Sequence, residues 1–187
     1  MNYAVISSVI LLGFLYLCVK SNAKRNWDYE FLKVDSTSSD ENLLNVSTRF
    51  ENGELGKPSV SGYIDWKYDC DENTMTEMKM YYSQNGRESA YHELPYAIPK
   101  ISYYNFLDQY WMKLFYPFLK DCSNLPSFDK FVPPWPKMTY LFNKCRAEPT
   151  SGPEIMPRGY YRIVWKIIGD ATFNVLIDVK VTPTGFI

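Results

Sequence analysis

The single histidine of the chain, His92, is the first residue to test for catalytic chemistry. Glu93 follows it, but the second histidine of an H-E-x-x-H zinc site is missing, and no G-x-S-x-G nucleophile motif occurs. A hydrolase built on two carboxylates stays open, since two acids can meet from distant positions. The residues point to no reaction, and we expect a protein that is not an enzyme.

A second chemical pattern, D-x-D-x-N, resembles the start of a calcium-binding loop. Its residues are Asp69, Asp71 and Asn73. Thr74 stands where the sharp turn of such a loop requires glycine, and Met80 stands where a chelating glutamate belongs. We therefore expect no metal site and no cofactor.

The cysteines are Cys18, Cys70, Cys122 and Cys145. Cys122 and Cys145 flank a proline-rich loop, and closing it with a disulfide would stabilise the fold by about 3 kcal/mol. We predict this pair, with Cys70 free or bound to another chain. Zinc is the rival interpretation, but one histidine and no C-x-x-C motif would leave the ligands to scattered carboxylates.

The beginning of the chain has the pattern of a secretory signal peptide. Residues 3–19 carry no charge, and Ser21 and Ala23 are the small residues that precede a cleavage site. We predict a signal peptide over residues 1–23, a mature amino terminus at Lys24, and one domain over residues 24–187. Because the only positive charge before the apolar run is the terminal amine, an uncleaved signal anchor remains the alternative.

Charge and hydropathy limit the partners. With 20 Lys and Arg against 21 Asp and Glu, the chain has no net field that would attract nucleic acid. No other apolar run approaches the roughly 20 residues of a membrane-spanning helix, so the mature form should have no stable membrane span. We expect a secreted, extracellular glycoprotein whose only N-x-S/T acceptor is Asn45.

Alternation of apolar and polar residues with a period of two dominates the rest of the chain. The clearest runs, 160–168 and 171–181, are joined by Gly169-Asp170, which predicts a two-residue hairpin with glycine at positive φ. A helical spacing interrupts the strands, with Ser102 as N-cap and Pro117 ending the helix near Tyr116. Its inward residues are Tyr103, Phe106, Leu107, Tyr110, Leu114 and Phe118. The other predicted strands are residues 27–34, 43–50, 61–69, 77–82 and 137–145, with residues 91–98 as an edge strand.

Seven or eight short antiparallel strands predict a mainly β protein, an antiparallel β-sandwich of immunoglobulin-like type with one amphipathic helix. Large apolar residues occupy the inward faces of three strands. A filled core is the simplest explanation, but large rings that do not interdigitate leave space between sheets, where apolar ligands bind. The candidate ligand-binding residues are Ile64, Trp66, Ile163, Trp165, Phe173 and Val175.

Several short segments resemble one known family. They are W-D-Y-E-F at residues 27–31, S-G-Y-I-D at 61–65, D-C-S-N-L-P at 121–126 and M-P-R-G-Y-Y at 156–161, together with Cys145. The set is similar to the insect chemosensory protein B (CheB) family, itself similar to the ganglioside-activator protein and the ML lipid-recognition superfamily. The resemblance implies a secreted β-sandwich with a hydrophobic pocket between its sheets and a role in gustatory perception of pheromones.

The leading hypothesis is therefore an extracellular, non-enzymatic binder of lipids or cuticular hydrocarbons that cooperates with a chemosensory receptor or channel. The alternative is a secreted structural or receptor-interaction module with a filled core.

Overall fold

The alternating segments form β-strands in the computed structural model, which describes residues 26–52, 57–146 and 154–184. The predicted signal peptide and its cleavage site lie outside these residues. Nine strands occur in the described part: β1 (Trp27–Ser38), β2 (Leu44–Asn52), β3 (Pro58–Trp66), β4 (Met75–Ser83), β5 (His92–Glu93), β6 (Ile98–Ser102), β7 (Thr139–Cys145), β8 (Gly159–Ile168) and β9 (Thr172–Pro183).

The strands build two antiparallel sheets packed as a sandwich, as the alternation predicts. One sheet has six strands in the order β1-β9-β8-β4, and both β5 and β6 pair with β4. The other has three strands in the order β2-β3-β7. The predicted edge strand at residues 91–98 is divided, because Pro95 has no N–H to donate to a ladder, and β5 and β6 lie on either side of it.

Two turns of the chain contain glycine, and only one of them needs its conformational freedom. Gly86, in the turn that follows β4, has φ of 75° and donates its N–H to the Ser83 hydroxyl. The β8–β9 hairpin differs from the prediction, because Ile168 pairs with Thr172 and leaves three residues in the loop. Gly169 is not at positive φ, since this longer loop turns without it.

One helical segment, residues 103–119, crosses from β6 to the proline-rich loop. It comprises α1 (Tyr103–Phe106), a π-helical stretch (Leu107–Phe115) and α2 (Tyr116–Leu119). The Ser102 hydroxyl caps its start by accepting from the Asn105 N–H at 3.2 Å, as predicted. Pro117 does not end it near Tyr116, since this proline lies in the first turn of α2 and the helical segment continues to Leu119.

The π-helical stretch also changes which side chains of this segment face the core. The predicted spacing places Tyr110 and Leu114 inward, and Tyr110 does pack against the core, but Leu114 does not. Bonds from i to i+5 wind the backbone more widely, so Trp111 is 2% exposed and Leu114 is 49% exposed. Phe115 takes the inward place predicted for Leu114 and packs on the ring of Trp165.

The disulfide joins Cys122 to Cys145, with Cα atoms 5.2 Å apart, and the Cys70 thiol is buried and free. Both assignments agree with the prediction. Beside the bridge, the side chain of Asn124 accepts from the Leu141 N–H at 2.6 Å and donates to the Thr139 carbonyl at 3.0 Å. The start of the proline-rich loop is thereby held to β7. No helix within the described ranges is long and apolar enough to cross a membrane.

Candidate functional site

The inner face of the six-stranded sheet is organised in rows that run across β1, β9, β8 and β4. Cross-strand pairing aligns four residues in each row. The middle row consists of Val34, Ile177, Ile163 and Met80, and every one of these apolar side chains is half-buried. The neighbouring row, made of Ser36, Val175, Trp165 and Met78, is half-buried as well.

The rows on either side of these two are more deeply buried. On one side Phe173 is 2% and Ile167 1% exposed, and on the other Tyr161 is 4% and Val179 8% exposed. The flanking rows belong to two separate hydrophobic clusters. In the middle row, Met80 and Ile177 pack against the second cluster, whereas Ile163 belongs to neither.

This burial pattern differs from that of a filled sandwich, whose central inward side chains are its most deeply buried ones. Here the surface that remains accessible is apolar and lies on the inward face between two packed clusters. Such a surface gains free energy when an apolar molecule covers it, by about 25 cal/mol per Å². The arrangement can hold a hydrophobic group.

The six predicted ligand-binding residues all lie in strands of the sandwich. Pairing brings four of them together, since Ile163, Trp165, Phe173 and Val175 lie on adjoining positions of β8 and β9. Trp165 and Val175 are direct cross-strand partners. The other two lie on β3 of the opposite sheet, where Ile64 is half-buried and packs against the larger cluster.

Trp66 is 3% exposed and has a different environment from the other five. Its ring stacks on Tyr68 and Tyr103, with centroids 5.1 and 5.8 Å away, and its Nε1 donates to the Tyr68 carbonyl. It belongs to an aromatic plug that closes one end of the sandwich. The plug consists of Trp66, Tyr103, Phe106, Trp111, Phe115 and Trp135.

The plug contacts the rows through Trp165. Phe106 and Phe115 place their ring centroids 5.6 and 5.4 Å from that of Trp165, whose Nε1 donates to the Thr76 hydroxyl at 2.8 Å. Trp135, from the proline-rich loop, is 2% exposed among these rings. Sequence reasoning missed Trp135. The signal that could have found it is the apolar content of its loop, where Leu125, Phe128 and Phe131 also pack against the core.

The opposite edge of the sandwich, where β1 meets β2, has a surface pocket of about 360 Å³. Its lining residues are Phe31, Leu32, Phe50, Glu51 and Pro58. A β-bulge makes Leu32 an extra residue of β1, so Phe31 and Val34 are successive residues on the inner face of this strand. The pocket therefore adjoins the middle row.

Charged groups of the six-stranded sheet lie on its outer face. Arg162 donates through Nε and Nη2 to both carboxylate oxygens of Asp178, at 2.8 and 2.9 Å, and also contacts Glu88. These bonds raise the pKa of the Arg162 guanidinium. The ion pairs hold the connection after β4 against the sheet, and neither the middle row nor the neighbouring row contains a charged side chain. Among the described residues, no three His, Cys, Asp or Glu side chains are grouped to hold a metal.

The predicted glycosylation acceptor, Asn45, lies on β2 opposite Asp65 of β3 and is half-buried. Its neighbours Leu44 and Val46 contact the core. Alternation along the strand therefore turns the Asn45 side chain to the outer face of the three-stranded sheet, away from the inner surface.

The central part of the chain matches a known protein family. Residues 76–163 match a family model described as "Protein of unknown function (DUF1091)", which covers less than half of the 187-residue chain. The matched part extends from β4 through the helical segment and β7 into β8, and it contains Met78, Met80, Ile163 and the aromatic plug residues of the helical segment. No curated protein matches the chain. Over this central part, the chain is similar to proteins of the DUF1091 family.

Proposed function

We propose that this protein is a secreted, non-enzymatic binder of long-chain hydrophobic ligands, which it holds between its two sheets. The observation that carries the proposal is the half-buried middle row of Val34, Ile177, Ile163 and Met80 between two packed clusters. The Met80 side chain is unbranched and polarizable, so it can adapt to the shape of a ligand. The absence of charged side chains from these rows favours a hydrocarbon chain over a polar ligand.

The finer part of the proposal is a role in chemosensation. The chain is similar to the CheB family in its D-C-S-N-L-P and M-P-R-G-Y-Y segments, and the disulfide that starts within the first segment is typical of extracellular proteins. We infer that the ligands are lipids or cuticular hydrocarbons acting in gustatory pheromone perception, with a chemosensory receptor or channel as partner.

The test is direct recovery of ligand. Refolded residues 24–187 are incubated with long-chain hydrocarbons and fatty acids of graded length, separated from excess ligand, and analysed by mass spectrometry. The proposal expects stoichiometric recovery with a preferred chain length. Recovery of no apolar ligand at any length would contradict it and favour the structural module with a filled core.

The Ile163→Phe variant tests whether the ligand lies at the middle row. The Val164→Phe variant is its matched control. The two positions are adjacent on β8 and equally half-buried, but only Ile163 faces inward. If the middle row lines accessible space, the Ile163→Phe ring occupies it, and ligand binding weakens by about tenfold with little loss of stability. In a filled core the same change lowers the free energy of unfolding by about 1–3 kcal/mol through overpacking. Val164→Phe should leave ligand recovery unchanged.

A further inference from the structure

We propose that ligands reach the middle row between the rings of Phe31 and Phe50, and that this opening admits flexible single chains in preference to rigid fused-ring molecules. The inference rests on the proposed function, since it specifies the route and the ligand class of the same site. One aromatic residue on an inward face, Phe50, is exposed.

Phe50 lies on the same face of β2 as Leu44 and Val46, which contact the core. Leu44 is fully buried, whereas Phe50 is 44% exposed. Among the inward-facing aromatic side chains of the described strands, Phe50 is the one in the exposed class. Solvent therefore reaches the inner face of the three-stranded sheet at this point, beside the pocket of about 360 Å³.

Phe31 stands opposite Phe50 on the other sheet. The two ring centroids are 6.2 Å apart and the rings are inclined by 42°. This pair is where the sheets touch at the pocket. Farther along the same edge, the hydroxyls of Ser36 and Thr48 are 3.0 Å apart. This hydrogen bond holds the two sheets together beyond the opening.

The β-bulge of β1 lies at the opening. Register shifts between Phe31 and Lys33, so Leu32 is the extra residue of β1 and is 44% exposed on the pocket wall. Bulges bend a strand and locally interrupt its ladder, which allows one edge to move without the rest of the sheet. Turning the Phe50 ring about its side-chain torsions widens the passage further without any backbone change.

The other ends of the sandwich are packed in the described structure. The aromatic plug buries Phe106 and Leu107 completely, and at the far end Trp27 and Tyr29 are 7% and 9% exposed. From the Phe31–Phe50 pair, the next inward residue of β1 is Val34 of the middle row. Once the Phe50 ring has turned, a polymethylene chain passes it one methylene group after another. A rigid sterol requires the Phe31 and Phe50 rings to be displaced together.

Stopped-flow fluorescence with two probes tests the route. Parinaric acid is an unbranched fluorescent chain, and dehydroergosterol is a fluorescent fused-ring sterol. The parent protein should bind parinaric acid faster and more tightly. Phe50→Ala should raise its association rate by about tenfold and Phe50→Trp should lower it by a similar factor, a range seen among variants of one site. Leu141→Ala is the control, because Leu141 is 54% exposed on a different part of the surface.

The outcomes separate the two proposals. If the parent binds parinaric acid but neither Phe50 variant changes the association rate beyond the Leu141→Ala control, the route is wrong and the binding function stands. Equal or faster binding of dehydroergosterol by the parent overturns the preference for single chains. If the parent binds neither probe nor any other apolar ligand, the proposed function fails and the route with it.

Discussion

Arg146 connects the two sheets through Tyr29. Its guanidinium lies 4.5 Å from the centroid of the Tyr29 ring and donates to the Tyr29 carbonyl at 2.7 Å and to Asp28 Oδ1 at 2.8 Å. Arg146 follows β7 of the three-stranded sheet, and Tyr29 lies in β1 of the six-stranded sheet. The arginine side chain, 20% exposed, thus holds the two sheets together at the end opposite the aromatic plug.

Replacing Arg146 should loosen this end. Arg146→Lys keeps the charge but loses the planar fork and the stacking, so we expect the free energy of unfolding to fall by about 1–3 kcal/mol in urea denaturation. Lys137→Ala removes an exposed ion pair with Asp69 and should cost less than about 1 kcal/mol. Equal effects of the two substitutions would show that Arg146 does not join the sheets.

Phe173 should limit ligand length at the plug end of the rows. Phe173→Ala removes a ring that is 2% exposed beside Trp165, so it should cost about 3–5 kcal/mol of stability and also shift preference to longer chains. Leu44→Ala removes an equally buried residue of the opposite sheet and should reduce stability without this shift. Mass spectrometry of bound chains, paired with denaturation of the same variants, distinguishes the two effects. A Phe173→Ala protein that keeps the parent's preferred length would contradict the prediction.

Trp165→Leu tests the same space from the neighbouring strand. The indole is half-buried between Phe106, Phe115 and Phe173, so a smaller side chain should enlarge the accessible space as well as lose packing. We expect a changed chain-length profile together with a lower melting temperature. A lower melting temperature alone would favour a filled core at this position.

The disulfide should make a large contribution to stability. The paired change Cys122→Ser with Cys145→Ser should lower the free energy of unfolding by about 3 kcal/mol, because an open loop of this length gains conformational entropy when the chain unfolds. Peptide mapping of the unreduced protein should recover these two cysteines in one linked pair. A peptide linking Cys70 to either of them would refute the assignment.

The Cys70 thiol should be unreactive in the folded protein. Burial, with a contribution from the charges of Asp71 and Asp69, raises its pKa from 9.0 to about 12. Because the thiolate is the nucleophile, iodoacetamide at pH 8 should modify Cys70 only after unfolding. Rapid alkylation of the native protein would contradict this environment.

The same shift predicts lower stability in alkali. The pKa of Cys70 is higher in the folded state, so the folded protein retains the proton that the unfolded chain loses above pH 9.0. The contribution of this thiol is complete below pH 9.0 and decreases as the pH rises towards about 12. Cys70→Ala should reduce the slope of stability against pH over this interval, measured by denaturation at each pH.

Much of this architecture could be predicted from residue order. Period-two alternation depends only on neighbouring residues, since successive strand side chains point to opposite faces, and it identified the inward positions of β8 and β9. The cysteine spacing around the proline-rich loop likewise predicted the observed disulfide. Local patterns of this kind need no knowledge of the partner strand.

The middle row required the tertiary structure. Strict alternation from Tyr29 and Phe31 would place Lys33 inward and Val34 outward, but the bulge at Leu32 reverses the two, and bulges depend on pairing with β9 rather than on local sequence. The π-helical stretch likewise exchanged Leu114 for Phe115, which packs on Trp165 of the sheet. The amino-acid sequence by itself determined which strands form and which faces are apolar. Only the folded arrangement decided which apolar side chains stay accessible, since accessibility depends on how two sheets meet.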